Sequence, residues 1–484
     1  MVLFSPSPRA LLTSLGCFYA LAGVVTAASP SATQKACQRL EALLGDYFVT
    51  TIDEGDYEAR RTKNWVQTAW GNPVCILHPT RVEQLQVAVS LLANSSVSFA
   101  VRSGGHEPHR GFANIDNGVL IDMSGFTRLE YDAGRGVAVV GTGLTWGEVY
   151  GQLEPHGVVV VGGRVPDVGV GGLILGSKFL VAGVVTADGS LVSANAKQNA
   201  DLFWALKGGT NNFGIVTEFT LTAYPLNQVW GGVKTYTLDQ LPQVLDAYYE
   251  YQSANDKDPY ANLIVGFSPT NASIGALVSM VYLKPEEKPA AFASFYPINT
   301  TSDSTGIKSF SQYLAEYGIP VVPRFDWHSA SFRLDKSLYD EIGSIVTSSS
   351  SVEVVKQITA GFMAVTLQPV SSRAVEIGRS NNGGNALGLE AVNQTWLAVA
   401  AGWWFPDDDK TVHDAGGAVI EQLVEAAAAK RDHLSYLFMN DASWDQDVIA
   451  SYGEANNLKL RQVQRKYDPK LVFQRLVPGG FKIR

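Results

Sequence analysis

Residues Val101-Arg-Ser-Gly-Gly-His106 set two adjacent glycines beside a histidine. Paired glycines let backbone N–H groups approach a bulky anion closely, because no Cβ stands in the way. A histidine at such a turn can attack a carbon, ligate a metal or transfer protons, and the residue types alone leave these three roles open. Three further Gly-rich segments follow: Gly141-Thr-Gly143, Gly162 to Gly176, and Gly208-Gly-Thr-Asn-Asn-Phe-Gly214. Between short strands they fit a long ligand with a diphosphate, threaded against backbone amides. The competing reading is a set of tight turns in a β-rich protein. No segment fits Gly-x-x-x-x-Gly-Lys-Ser/Thr, and Gly169-Val-Gly-Gly172 does not complete a dinucleotide-binding fingerprint.

The elements that must position these turns are short. Val74-Cys-Ile-Leu77 reads as a strand, and Val82, Leu85, Val89 and Leu92 recur at helical spacing. Val97 to Val101 is strand-like, so a strand–helix–strand unit opens onto the first glycine pair. Val119 to Asp122, Val137 to Val140, Val158 to Val161 and Val216 to Ala223 predict further strands. After Pro225 the glycine density falls. Leu241, Leu245 and Tyr248 mark a helix, and Thr395 to Phe405 a long apolar strand. Leu434 to Met439 reads as a strand, and Val448 to Lys466 as an amphipathic helix ended by Tyr467-Asp-Pro469.

At 484 residues the chain is too long for one ordinary core. With 46% hydrophobic and 17% charged residues it is a folded protein, and a net charge of −9 argues against a nucleic-acid partner. Arg9, the apolar run Ala10 to Val25 and the small residues Thr26-Ala-Ala28 read as a secretory signal over residues 1–28, the alternative being an uncleaved anchor. Its removal takes Cys17 and leaves Cys37 and Cys75, which are expected to pair; two buried free thiols are the other possibility. Asn94, Asn271, Asn299 and Asn393 head Asn-x-Ser/Thr acceptor sites, in keeping with a secreted glycoprotein. No His/Cys/carboxylate cluster is visible, so no metal is expected, and His328 and His413 are read as structural or exposed.

Val101-Arg-Ser-Gly-Gly-His106, Gly111-Phe-Ala-Asn114, Val119-Leu-Ile-Asp-Met123, Asp201-Leu-Phe-Trp-Ala-Leu-Lys-Gly-Gly209 and Asn212-Phe-Gly-Ile-Val216 together resemble the berberine-bridge-enzyme-like branch of the vanillyl-alcohol-oxidase flavoprotein superfamily. So do Arg465-Lys-Tyr-Asp-Pro469, Val472-Phe-Gln and Val477-Pro-Gly-Gly-Phe481. Within that family the chain is similar to fungal FAD-linked oxidoreductases of secondary metabolism, over nearly its whole mature length. The resemblance implies an α+β fold. A PCMH-type FAD-binding domain of two α/β subdomains would span 29–225, with its core at about 70–225. A substrate domain at 226–430 would hold an antiparallel sheet covered by helices. The segment 431–484 would return to the FAD domain.

The resemblance also implies FAD bound covalently, His106 being the residue that links to the 8α-methyl carbon of the flavin. A neutral imidazole nitrogen can attack an activated methyl carbon, and the bond raises the oxidising power of the flavin. Some members carry a second link from a cysteine; Val165 holds that position here, so attachment should be single. Backbone amides of Arg102, Ser103, Gly104 and Gly105, and of Asp167, Val168, Gly169, Gly171 and Gly172, would hold the diphosphate. Gly214, Ile215 and Val216 would border the adenine. The implied reaction is oxidation of a small organic molecule (an alcohol, sugar, alkaloid or polyketide), with molecular oxygen as acceptor, no nucleic-acid partner and no membrane partner after signal cleavage, by a monomer.

Two departures stand out. Relatives place Asn-Tyr near the flavin; here Asn440 matches as a cofactor contact, but Asp441 replaces the tyrosine. Asp441 could serve as base if burial raised its pKa, with Tyr436 as the alternative. Tyr452 matches a family tyrosine and is read as core. Relatives also continue from Gly176 with a glycine- and aromatic-rich block, whereas Ser177-Lys-Phe-Leu-Val-Ala-Gly183 runs almost at once into Val184-Val-Thr-Ala-Asp-Gly189. The shortened wall and Asp441 keep open a non-catalytic flavin-binding glycoprotein, and a flavin dehydrogenase with a different acceptor is a further alternative that only reoxidation kinetics separates from an oxidase.

Overall fold

The computed structural model describes residues 31–176, 180–271, 275–316, 318 and 321–483. The predicted signal over 1–28 and the Ser177-Lys-Phe179 part of the shortened connection lie outside them. Ser31 starts the first helix, α1 (Ala32–Leu44), through a reciprocal cap with Gln34. The apolar spacing from Val82 gives α2 (Val82–Ser95), whose Leu85, Val89 and Leu92 are fully buried.

Among the described residues the strands form three sheets. The first contains β1 (Phe48–Thr50), β2 (Cys75–Leu77), β3 (Phe99–Arg102) and β4 (Val119–Asp122). Its order is β1-β2-β4-β3, with β2 and β3 both parallel to β4 and α2 as the crossover. The predicted strand–helix–strand unit is therefore present, and β3 delivers the chain to Ser103.

The second sheet is antiparallel, in the order β5 (Leu129–Asp132), β6 (Val137–Gly141), β10 (Ile215–Pro225), β8 (Val181–Val185), β9 (Leu191–Asn195). A further strand, β7 (Val158–Val160), pairs with the far end of β10. Helices α3 (Val170–Leu175) and α4 (Ala200–Gly209) contribute Val170, Ile174, Leu202, Phe203 and Leu206 to the core beneath it.

The third sheet is also antiparallel and runs β14-β11-β13-β12-β17-β18-β16-β19, with β15 beside β11. Its members are β11 (Gln228–Tyr236), β12 (Ala261–Phe267), β13 (Ala276–Tyr282), β14 (Ser302–Asp303), β15 (Gly306–Ser309), β16 (Arg324–Arg333), β17 (Phe362–Val370), β18 (Gln394–Trp403) and β19 (His433–Leu434). Helices α5 (Leu241–Ser253), α6 (Lys336–Ser348) and α7 (Asp409–Lys430) bury Leu245, Ile342 and Val419 against it. Its two-layer packing is the α+β arrangement expected.

The C-terminal stretch differs from the sequence reading in two places. The strand expected over 434–439 is only the two-residue β19; a 3-10 turn, Met439–Asp441, follows. The expected helix from Val448 begins only at Glu454 (α8, Glu454–Tyr467), because Gly453 adopts φ 86 and breaks the run. Beyond α8 the chain returns to the first two sheets. Phe99 donates its N–H to the Leu476 carbonyl at 2.7 Å, and the Asn212 amide donates to the Phe481 carbonyl at 2.8 Å.

Cys37 of α1 and Cys75 of β2 are bonded, closing a separation of 38 residues. A loop of that length should contribute about 4 kcal/mol through the unfolded chain. The Cys37→Ser/Cys75→Ser double variant should therefore unfold at clearly lower urea than wild type; an unchanged midpoint would show that the bond does not stabilise this unit.

Candidate functional site

The turn after β3 is pinned from below by a buried ion pair. Arg102, fully buried, donates from Nη2 to Asp122 at 3.1 Å and from Nη1 to Asn64 at 3.0 Å. Asp122 is likewise fully buried; burial raises its pKa, but the guanidinium outweighs that and holds the carboxyl below its ordinary range. Asn114 completes the set by donating to Asn64 at 3.0 Å. The Arg102 side chain thus holds the turn from beneath, and the contact expected of Arg102 with a diphosphate is one of its backbone amide alone.

Ser103 ties the turn sideways. Its hydroxyl donates to the Thr142 carbonyl and accepts the Gly171 N–H at 3.2 Å. Gly104 lies directly on Gly169: a Cβ on Gly104 would sit 2.5 Å from the Gly169 Cα, and one on Gly169 would sit 2.4 Å from the Gly104 nitrogen. Two turns far apart in sequence therefore meet backbone to backbone, which only glycine allows. The N–H groups of Val168, Val170 and Gly171 are committed to Val165, Leu144 and Ser103. Those of Gly104, Gly105, Asp167 and Gly169 have no acceptor among the described residues. These four are the donors left for a diphosphate. Gly172 is exposed, with open space around it.

His106 follows. Its ring stacks on Trp65, centroids 4.3 Å apart and planes 10° from parallel, and Trp65 donates its N–H to the Gly105 carbonyl at 2.9 Å. Nε2 of His106 is buried without a hydrogen-bond partner. Burial lowers the pKa of the ring to about 4, against the opposing pull of Asp167 and Glu107. The imidazole is neutral at ordinary pH and keeps a free lone pair. An orphaned buried nitrogen, unspent amides and glycine-only contact between the turns all suit an FAD joined at His106.

Gly214, Ile215 and Val216 enter the second sheet. Ile215 and Val216 face Val185 and Val184 in the ladder, and both side chains are buried in core. Only backbone is left there for an adenine.

The C-terminal turn brings Asn440 against Gly176, where an added Cβ would lie 3.1 Å from the amide. Asp441 is half-buried and accepts from Gln368 Nε2 at 2.6 Å, while Arg164 donates to Gln368 Oε1 at 2.8 Å. Burial raises the Asp441 pKa, and the Arg164 charge and the Gln368 bond only partly offset it. Tyr436 is buried with its hydroxyl unpartnered, and burial together with Tyr452 and Asp441 pushes its phenol well above 10. Tyr452 donates to the Gly208 carbonyl at 3.1 Å, a core role as expected.

Sequence reading missed the groups on the other side of the His106 loop. His109 donates from Nε2 to Asp326 Oδ1 of β16 at 2.9 Å. Burial would lower its pKa, but Glu107 and Asp326 lift it to about 9. Asp326 also meets Nδ1 of His413 at 2.6 Å, and His328 lies beside them. The sequence showed no such cluster because 217 residues separate His109 from Asp326. A cleft of about 460 Å³ opens here, lined by Trp70, His109, Asp326, His413 and Trp444. Of the glycan acceptors, Asn94 and Asn299 are exposed. Asn271 borders residues 272–274, which are not described. Asn393 accepts the Ser372 N–H at 3.1 Å and its partner Thr395 is fully buried, so a glycan there would break packed structure.

Residues 73–195 match the FAD binding domain family. The chain is 34% identical to a FAD-dependent monooxygenase of Arthrobotrys oligospora, over 92% of this chain and 89% of that protein. It is 33% identical to the bifunctional solanapyrone synthase of Alternaria solani, over 93% of this chain and 89% of that protein. Among solved structures, BBE-like 1 of Physcomitrella patens matches with a TM-score of 0.75 at 19% identity, covering 93% of this chain and 99% of that one. A glucooligosaccharide oxidase from Acremonium strictum, described with a 6-S-cysteinyl, 8α-N1-histidyl FAD, matches with a TM-score of 0.74 at 18% identity, covering 91% and 98%. At such identities the likeness is one of fold. No helix among the described residues is long and apolar enough to cross a membrane.

Replacing Arg102 with Met takes the nearer guanidinium from a fully buried carboxylate and leaves it only Arg60, at 3.6 Å, and the Ser124 N–H; a fully uncompensated charge would cost about 3–5 kcal/mol, which bounds the loss from above. Arg102→Met should lower the unfolding free energy by up to that amount, read from urea melts, and Arg102→Met/Asp122→Leu should recover part of it. A single variant as stable as wild type would mean that the pair does not fix the turn.

Proposed function

The chain belongs to the berberine-bridge-enzyme-like family of FAD-linked oxidoreductases, and on that premise we propose that it oxidises a small organic metabolite with molecular oxygen as acceptor. Bound FAD would supply the redox chemistry, taking a hydride from the substrate and passing two electrons to oxygen to give hydrogen peroxide. The observation that carries this reading is His106, a neutral imidazole whose buried Nε2 has no partner, on a turn whose amides are unspent.

His106 would anchor the flavin by a single covalent link, with Val165 where a second attachment would need cysteine. Trp65 holds the ring flat, and Asn64, Arg102 and Asp122 hold the turn at its base. Asp441 is the proposed base: its raised pKa makes it a better proton acceptor than an ordinary carboxylate, and Gln368 fixes its orientation. Tyr436 is the weaker choice, because a phenol pushed well above 10 gives up its proton too reluctantly to work as a base. Asn440, packed on Gly176, would bring this turn to the end of the third Gly-rich segment. The predicted signal over residues 1–28 and the Cys37–Cys75 bond support passage through the secretory pathway. The brevity of the connection from Gly176 to Val181 favours a second reading, a flavoprotein without turnover, which would be yellow yet make no peroxide.

Acid-precipitated wild-type protein should keep one flavin, and His106→Ala should release it all. Attachment to apoprotein should run undiminished from about pH 8 to 5 and fall below about pH 4, where the imidazole becomes protonated. Flavin retained by His106→Ala would refute the anchor.

Asp441→Asn should lower kcat about 10²–10⁴-fold and remove the acid limb of the pH–rate profile. That limb reflects protonation of the carboxylate as pH falls through its raised pKa. Tyr436→Phe should change kcat little, and the reverse ranking of the two variants would move the base to Tyr436.

A further inference from the structure

Outside the flavin turn, the fold assembles a second set of chemically able side chains. Asp326 and His328 are two apart on β16, so they leave the strand on the same face. Helix α7 packs on that face and brings His413 over them. Its Gly416 and Gly417 let the strand come close: a Cβ on Gly416 would sit 2.8 Å from His328 Nδ1. One ligand atom from each of Asp326, His328 and His413 lies within 4.8 Å of the others.

Two of the three already have outer partners placed as metal sites place them. His413 Nε2 faces Asp445 Oδ2 at 3.2 Å, and Asp326 Oδ1 faces His109 Nε2 at 2.9 Å. Metal-bound histidines characteristically donate their second ring nitrogen to a carboxylate, which fixes tautomer and orientation. Independent of that arrangement, His328 is 4% exposed, and no group among the described residues hydrogen-bonds its ring. A largely buried imidazole left out of the hydrogen bonds around it has ring nitrogens free to meet an ion. The cleft lined by Asp326, His413 and Trp444 gives an ion a way in.

We propose that Asp326, His328 and His413 bind one divalent transition-metal ion of the zinc class, with the remaining coordination position open to the cleft. Two imidazoles and one carboxylate suit such an ion and disfavour magnesium or calcium, which take oxygen ligands. The ion takes the place of the proton between His413 Nδ1 and Asp326 Oδ2, and that proton leaves to solvent. His413 keeps its Nε2 bond to Asp445, and Asp326 keeps its Oδ1 bond to His109. Tetrahedral coordination at zinc distances sets the ligand atoms about 3.3 Å apart, so His413 Nδ1 and Asp326 Oδ2, 2.6 Å apart, must spread to admit the ion while His328 adjusts to complete the set. The proposed ligands do not include His106, and the inference does not rest on the proposed reaction.

The test uses the full flavin-containing protein, stripped with chelator and titrated with Zn2+ by calorimetry and with Co2+ by visible absorption. The expected result is one equivalent bound, with the absorption bands of a nitrogen- and oxygen-ligated cobalt ion. His413→Ala, at a partly exposed position, should weaken binding at least about 100-fold, and Asp445→Asn about 10–100-fold as an outer partner. Flavin content should stay unchanged in both. His328→Gln should also lose the metal, its folding checked by circular dichroism. Absence of a stoichiometric binding event in wild type, or binding left intact by both His413→Ala and Asp445→Asn, would overturn the assignment and leave the cluster as a hydrogen-bonded network.

Discussion

Everything at the flavin turn depends on a side chain that points away from it. Arg102 ends β3 with its guanidinium sealed between Asp122 and Asn64, below the glycines rather than among them. Such a pair contributes little net stability, because desolvating two charges consumes most of their attraction. What it does contribute is position. The guanidinium has one place where its charge is met, so the following residues start from a fixed point. Ser103 can then reach Thr142 and Gly171, Gly104 can lie on Gly169, and His106 comes to rest on Trp65. A turn that must offer bare backbone to a cofactor cannot be held by its own side chains, so the support comes from beneath and from both ends.

The far end is held by the third sheet. His109, three residues beyond His106, pairs with Asp326 on β16. The loop is therefore strung between a buried ion pair on the first sheet and a second one on the sheet proposed to hold substrate. Trp65 repeats this connection in apolar form, lying between His106 and Phe325. Movement of β16 relative to the first sheet would be felt at His106 through both contacts.

Legibility in the sequence followed the range of the interactions. The helix at Val82 and the strand at Thr395 were readable because their own periodicity buries them. His106 was readable because its glycines are its neighbours. Trp65, Asn64 and Asp326 were not: nothing local marks a tryptophan as a stacking partner or an aspartate as a clamp until the sheets come together. The misread strand after Leu434 has the same cause. Its apolar residues do face a core, but β16 offers ladder partners only to His433 and Leu434, and Tyr436 and Met439 are buried as irregular chain against the second sheet. The late start of α8 turns on one backbone angle at Gly453, which composition does not reveal.

Burial bears on His106, Asp441 and His109 alike, yet it leaves them in three different states. It drives His106 down, because only weak carboxylate influence opposes it, and so yields a neutral ring with a usable lone pair. It drives Asp441 up, because a neutral Gln368 and a more distant Arg164 compensate only in part, and so yields a carboxylate with more appetite for a proton. At His109 it loses outright, because Glu107 and Asp326 both bear on one ring and keep it charged. Desolvation sets the scale and the adjacent charges choose the sign. Two histidines three residues apart thereby differ in charge: His109 stays charged and holds the loop, while His106 stays neutral, as the proposed link to flavin requires. The fitness of His106 for that proposed role lies less in the Gly-Gly-His motif than in where the fold has put its carboxylates.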